Sequence, residues 1–412
     1  MSNQVIVVGG GLSGLSAAHK VLERGGNVLV LDKNSFFGGN STKATPDING
    51  ALIKTQIGGP EIFAQDTARS ARDLAHPDLI NFLLEILPLL LNGFRRNSKM
   101  FPGMTITYAL MEVIEEIANN QPDRARLIKK ERVTKLIKEG DAVIGVEYVK
   151  DGQTCKEYGP VILATGGYAA DFTEDPLLKK YQPDAKIKFL AAEALRGVGG
   201  LLLNGEGKRF CDELGHRDYV TGDIWKTKVP VRLVLNSKAS KEIEWHFKHY
   251  VGRGLMRKFS GEALAKEIKD PFGKKFFHNI PITITDQFHI ALMSPILLYT
   301  MDGIDINAES EVRDMQEQVI PGLFTSGEIA GGIHGANRLG GSSLLGCVVY
   351  GRVACDSASR YLFQNLFSAT ANRRLGQIVE QLAPYQTTVS FDPTNQKVHL
   401  EISWSIIGTL KR

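Results

Sequence analysis

Cysteine is scarce in this chain: Cys155, Cys211, Cys347 and Cys355 form no CxxC pair and have no histidine at zinc-ligand spacing. That pattern argues against a metal site and a disulfide framework, so the thiols read as reduced packing groups. Long apolar runs are lacking too. The most apolar stretch, Phe82-Leu83-Leu84-Glu85-Ile86-Leu87-Pro88-Leu89-Leu90-Leu91, is short and broken by Glu85 and Pro88, and no membrane span is expected. Neither sign of charge dominates, since +4 is small for 412 residues. Basic pairs such as Arg95-Arg96, Lys129-Lys130 and Lys274-Lys275 are dispersed rather than lined up with aromatic residues, which leaves nucleic-acid binding without support. The first apolar run begins within five residues of Met1, so the reading has no signal or transit peptide and takes the cytoplasm as default.

Glycine, by contrast, is plentiful. With 42 glycines, 43% hydrophobic residues and no low-complexity tract, the chain describes one large or two ordinary globular domains with a sizeable core. It opens with Gln4-Val5-Ile6-Val7-Val8-Gly9-Gly10-Gly11-Leu12-Ser13-Gly14, and later reaches Asn27-Val28-Leu29-Val30-Leu31-Asp32. This is a strand, a GxGxxG turn, a helix, and a second strand ending in a carboxylate: a dinucleotide cradle. Gly9 permits the tight turn, Gly11 lets the backbone approach a pyrophosphate, and Gly14 allows helix to pack closely on strand. The N-terminal amides of the helix, at Gly11, Leu12 and Ser13, can then face phosphate. Asp32, followed by Lys33, lies where a carboxylate can accept ribose hydroxyls. A GxGxxG turn alone does not separate NAD from FAD. Three further glycine-rich pieces, Phe37-Gly38-Gly39-Asn40-Ser41, Val161 to Gly167 with Thr165 and Gly166, and Gly322 to Gly332 with Glu328, together resemble the flavoprotein pattern.

Helical periodicity runs from Gly59 to Arg72, from Pro77 to Leu91 and over Tyr108–Ala118. Val133–Ile137, Ala142–Val149 and Gln153–Tyr158 read as an antiparallel meander. Val161–Ala164 is wholly apolar and reads as a buried parallel strand of the main sheet. From Lys186 to Leu298 the composition shifts to charged helices and short strands, as expected of an inserted cap. The predicted fold class is α/β, a Rossmann-like nucleotide-binding domain over 1–185 and 299–366, interrupted by an α+β capping domain over 186–298. A tail over 367–412 carries a basic helix start at Asn372-Arg373-Arg374 and two β-like stretches, Thr388–Phe391 and Val398–Ile402.

Four pieces are more specific: Gly38-Gly39-Asn40-Ser41-Thr42-Lys43-Ala44, Ala191-Ala192-Glu193-Ala194-Leu195-Arg196-Gly197, His216-Arg217-Asp218, and His334-Gly335-Ala336-Asn337-Arg338-Leu339-Gly340-Gly341-Ser342-Ser343-Leu344. With them the chain resembles the soluble fumarate reductases, fungal type, of the flavoprotein family that includes the succinate dehydrogenase flavin subunit. The resemblance covers most of residues 2 to 362. It implies FAD as cofactor, fumarate and succinate as the dicarboxylate pair, and reduced flavin or NADH as electron donor; from charge and hydropathy above, no nucleic-acid or membrane partner is expected. By family analogy the mitochondrion is the alternative compartment. It implies Arg338 as the clamp on a substrate carboxylate, a bidentate geometry that lysine could not copy. Arg217 matches the family's proton donor, with Glu193 and Arg196 as the relay that reprotonates it. Glu328 would contact ribityl or ribose hydroxyls, and Ser343 and Leu344 would bring a helix N-terminus to the flavin. Without the family pattern, Glu193 and Arg196 are an i, i+3 surface pair and Arg217 an exposed turn residue.

The chain also departs from the pattern. Only Tyr168 to Leu190 separates Gly167 from the Glu193 motif, where the family has a longer segment with a substrate histidine. Ile86 to Met100 replaces another family segment, Leu298 stands in the place of a second histidine, and Pro46-Asp47 and Asp302 replace small residues. His289 is the one candidate substitute, although a histidine in an apolar strand is more often a core residue. These departures suit two alternatives: a non-catalytic FAD-binding relative or partial chain, and an enzyme turned toward a less charged alkene.

Overall fold

The computed structural model describes residues 3–43, 60–80, 102–168, 190–260, 279, 283, 285–295, 299–382, 385–392 and 397–404. Pro46-Asp47, the stretch between Tyr168 and Leu190, Ile86 to Met100, and Leu298 lie outside the described residues.

The chain begins with β1 (Gln4–Val8), α1 (Leu12–Glu23) and β2 (Asn27–Asp32). β1 is apolar along nearly its whole length because it is a central parallel strand, paired with β2 on one side. After α2 (Pro60–Ala71) and α3 (Pro102–Asn120), β3 (Ala125–Lys129) adds in parallel to the far side of β2. β4 (Arg132–Glu139), β5 (Ala142–Lys150) and β6 (Gln153–Tyr158) form the antiparallel meander that the sequence predicts. The chain then returns through β7 (Val161–Leu163), parallel to β1 in the main sheet.

α4 (Ala194–Gly197), β8 (Leu201–Leu203), α5 (Arg217–Lys226), β9 (Val231–Leu235), α6 (Ser237–Glu242), α7 (Glu244–Gly252), β10 (Met256–Ser260) and β11 (Gln287–Met293) follow. Their strands form a separate antiparallel sheet in the order β10-β11-β9-β8. β12 (Glu311–Arg313) and β13 (Val319–Thr325) complete the first sheet, whose order is β12-β13-β7-β1-β2-β3. The long helix α8 (Ser342–Leu382) and the hairpin of β14 (Tyr385–Asp392) and β15 (Lys397–Trp404) end the described chain.

The main sheet and the β10-β11-β9-β8 sheet each have a core of their own, and the meander shares the first. Val5, Ile6, Val7, Leu29, Val161, Ile162, Phe324 and Tyr350 belong to the first, and Leu195, Leu202, Cys211, Val231, Leu233 and Leu235 to the second. Fully burying an aliphatic side chain stabilises by about 1.5–3 kcal/mol, so each cluster contributes substantially to holding its sheet. α8 crosses α1 closely because Gly351 sits where an added Cβ would lie 2.5 Å from Ser13 O.

Two readings of the sequence change. Asn372-Arg373-Arg374 does not open a helix, because α8 runs unbroken from Ser342 past these residues. β3, absent from the sequence reading, is an edge strand in which charged Arg126 and Lys129 mask the apolar pattern.

Candidate active site

The three glycines of the first turn each answer a different steric demand. Gly9 has φ +108°, and an added Cβ would lie 2.2 Å from Ala164 O, where β7 ends beside it. At Gly14 an added Cβ would meet Gly9 O at 1.9 Å, so only glycine lets the helix sit this close to its strand. At Gly11 nothing stands within 4 Å of such a Cβ. Gly11 is the N-cap of α1 and makes no side-chain capping bond, so the helix start faces open space.

Asp32 is buried at 7% exposure, and its carboxylate accepts the Gly10 N–H at 2.7 Å and the Asn34 N–H at 2.7 Å. These amide bonds tie the end of β2 to the glycine turn. Lys33, Gly39 and Asn40 are exposed beside the turn, with Ser41 half-buried, and Gly11 and Gly38 form an isolated parallel bridge. Thr165 is exposed and Gly166 has φ +81° just beyond β7. Leu12 and Leu344 bury their side chains in the main core, which leaves only their backbone for a ligand. Ser13 shares a 2.6 Å hydrogen bond with Ser326. Glu328 accepts the Thr300 N–H at 3.0 Å, and burial raises its pKa above the ordinary carboxylate value. Ser343 lies in the first turn of α8.

The second region gathers charge from stretches far apart in sequence. Glu193 precedes α4, Arg217 opens α5, and Arg338 lies in the loop before α8. The Arg217 Nε lies 2.7 Å from Glu193 Oε1, and Arg196 Nη2 lies 3.8 Å from the same oxygen. Arg217 Nη2 donates to the Arg338 carbonyl at 2.5 Å. Arg196 is held from behind by the carbonyls of Glu213 and Gly215, at 2.8 and 3.3 Å. Glu193, Arg196 and Arg217 line a cavity of about 430 Å³, with Arg69, Asn337 and Gly340 on its other walls. Arg338 is 7% exposed behind it. Burial, and then the neighbouring Arg217, push the Arg338 pKa below its ordinary value.

Two residues here had no assigned role in the sequence reading. Tyr299 lies under the Arg338 guanidinium, 4.9 Å from ring centroid to Cζ. His334 is 2% exposed, 5.4 Å from the Tyr299 ring, and burial followed by Arg338 lowers its pKa to about 3. Neither His334 ring nitrogen nor Arg338 Nε has a hydrogen-bond partner among the described residues. His334 opens the motif that carries Arg338, but its role was not readable from the sequence, because burial next to a cation is a tertiary property. Two other side chains lie away from this cluster. His289 hydrogen-bonds Ser240 at 2.8 Å and packs on Phe247 in the second sheet, as a core histidine does. Asp302 is exposed and accepts its neighbour Gly303's N–H at 2.9 Å.

Among the described residues no group of histidine, cysteine and acidic side chains could hold a metal ion, and no helix is long and apolar enough to cross a membrane. The family profile of the FAD binding domain matches residues 4–108 and 176–344. The chain is 38% identical to a fumarate reductase of Schizosaccharomyces pombe, over 90% of this chain and 92% of that one. It is 29% identical to fumarate reductase 1 of Saccharomyces cerevisiae, over 86% and 98%. Among solved structures, the open conformation of a flavocytochrome c3 fumarate reductase superposes with a TM-score of 0.69 at 25% identity, covering 87% of this chain and 78% of that one. The Schizosaccharomyces alignment is 472 positions long but uses 90% of 412 residues, about 371, so about 100 positions of that relative face gaps in this chain.

The residues present fit FAD. The open space at Gly11 and the uncapped start of α1 suit a pyrophosphate, and Gly9 and Gly14 can carry no side chain there without collision. The chain belongs to the FAD-binding flavoprotein family of the fumarate reductases.

Proposed function

We propose that the chain reduces fumarate to succinate, with Arg217 as proton donor and Arg338 as carboxylate clamp. Bound FAD would supply a hydride from its N5 to one alkene carbon. The observation that carries this reading is the convergence of Arg217 and Arg338 on one another, with Glu193 2.7 Å from Arg217 Nε. Arg196, Arg217 and Arg338 outnumber Glu193 in the cluster, so an anionic substrate is favoured there. An arginine with an ordinary pKa above roughly 12 gives up a proton only to a strongly basic carbon, and adjacent positive charge assists the release. Glu193 then returns a proton to Arg217, with Arg196 behind it on the side of the cavity.

The cofactor-binding set is Gly9, Gly11, Leu12, Ser13, Gly14, Asp32, Lys33, Gly39, Asn40, Ser41, Thr165, Gly166, Glu328, Ser343 and Leu344. In this reading Asp32 acts mainly by holding the glycine turn, and Leu12 and Leu344 act through their amides. The FAD-binding part comprises 1–185 and 299–366, and 186–298 caps it. Reduced flavin or NADH supplies electrons.

The test is an anaerobic spectrum of the purified chain with FAD, reduced chemically and then mixed with fumarate. Rapid return of the oxidised flavin bands supports the reading. Flavin that binds but stays reduced would leave the non-catalytic relative, which the roughly 100 alignment gaps favour.

A further inference from the structure

Residues 70–76 touch both sides of the cation cluster without belonging to it. On one side they hold the strap that carries Arg338. Ser70 Oγ donates to Asn337 O at 2.9 Å, Ala336 N–H donates to Ala71 O at 2.9 Å, and His76 N–H donates to Gly332 O at 2.8 Å. Gly335, at φ +50°, is pressed so close that an added Cβ would lie 2.5 Å from Ala71 O. On the other side Arg72 turns away from the strap. Its backbone is in the left-handed region, φ +56°, which non-glycine residues seldom adopt, and its Nη2 reaches Asp218 Oδ2 at 2.8 Å. Asp218 is the chain neighbour of Arg217 in the first turn of α5.

These contacts close a ring. Arg72 binds Asp218, Asp218 is bonded to Arg217, Arg217 donates to the Arg338 carbonyl, Arg338 is bonded to Asn337, and Asn337 is held by Ser70, two residues before Arg72. Of the three non-covalent ties, Arg72–Asp218 is the one made between two charged side chains.

We propose that the Arg72–Asp218 ion pair is a latch that fixes Arg217, carried by the second sheet's helix, at its working distance from Arg338, carried by the first. Arg72 and Asp218 are positioning residues in this scheme, and the proposal rests on the reading of Arg217 as proton donor. Both partners are more than half exposed, 66% and 51%, so the latch is weak and open to salt.

The experiment compares the full chain with Arg72→Asn, Asp218→Asn and the swap Arg72→Asp/Asp218→Arg. Asparagine at 72 tolerates the left-handed backbone, so that variant removes the ion pair without new strain. Fumarate turnover and hydrogen exchange of the α5 amides are both measured, including Val220, which donates to His216 O. The latch predicts that each single substitution lowers kcat about two- to fivefold with KM little changed. The swap restores kcat, and the wild-type chain falls to the single-variant level in 1 M salt, where the screening length is about 3 Å. Exchange in α5 rises in both single variants and returns in the swap. The two single substitutions change net charge in opposite directions. If kcat moved in opposite directions, Asp218 would be tuning Arg217 by charge and the latch would be overturned. Unchanged α5 exchange in both variants would also overturn it. If the wild-type chain does not turn over fumarate, the catalytic reading falls, and exchange alone decides the latch.

Discussion

Between Gly9 and Asp32 the chain builds its nucleotide cradle from backbone, whereas the cation cluster is built from long side chains that arrive from Glu193, Arg196, Arg217 and Arg338. In the cradle the decisive atoms are absent ones: an added Cβ would fall 2.2 Å from Ala164 O at Gly9 and 1.9 Å from Gly9 O at Gly14. In the cluster they are charged ends whose positions depend on two different cores. A site made of missing side chains fails abruptly when one is supplied. A site made of charges is graded, because each guanidinium has several donors and several neighbours.

The largest effect should come from breaking the cradle. Gly14→Val has no way to clear Gly9 O, and we expect about 5 kcal/mol of destabilisation with loss of FAD retention, measured by urea unfolding and by flavin content after gel filtration. A stable, flavin-loaded variant would show that the close approach of helix to strand is dispensable.

Next comes acid. The folded-state pKa of His334 is about 3, against an ordinary value of 6.5. Between these values the unfolded chain takes up a proton that the folded chain refuses, so stability should fall as pH is lowered through this window. The contribution of this one group reaches up to roughly 4–5 kcal/mol at the acid end. Comparing urea midpoints of the wild-type chain and His334→Gln at pH 7 and pH 4 isolates it, and an equal loss in both would remove His334 from the account.

Arg338→Lys sharpens the cluster side of the comparison. It keeps a charge but loses the planar fork, and we expect about a 10²-fold fall in kcat/KM for fumarate with flavin content unchanged. Flavin loss in that variant would mean that Arg338 serves the cofactor rather than the substrate. The smallest effect belongs to Asp32→Asn, which weakens one of two amide bonds at the turn. A loss of about 1–2 kcal/mol in stability and a similar change in FAD affinity are expected by denaturation and fluorescence titration.

The sequence made the first sheet and the meander legible because strand alternation, wholly apolar central strands and Gly turns act through residues a few positions apart. Val161–Leu163 illustrates this: three apolar residues flanked by glycine turns read correctly as a buried parallel strand. Ala125–Lys129 did not, because an edge strand carries charges that its neighbours tolerate. Ordered motifs picked out Arg217, Glu193, Arg196 and Arg338, which the structure brings together. The roles of Tyr299, His334 and the Ser70–Arg72 segment were not legible, since they come from neighbours remote in the chain.

The sequence by itself determined the glycine turn, its strands and the acid–arginine motifs, because those depend on local sterics and residue identity. Only the tertiary structure decided that Asp32 holds two backbone amides, that His334 is kept neutral behind Arg338, and that Arg217 meets a carbonyl 121 residues away. Burial and charge proximity are collective properties of packed elements, and no single stretch of chain encodes them.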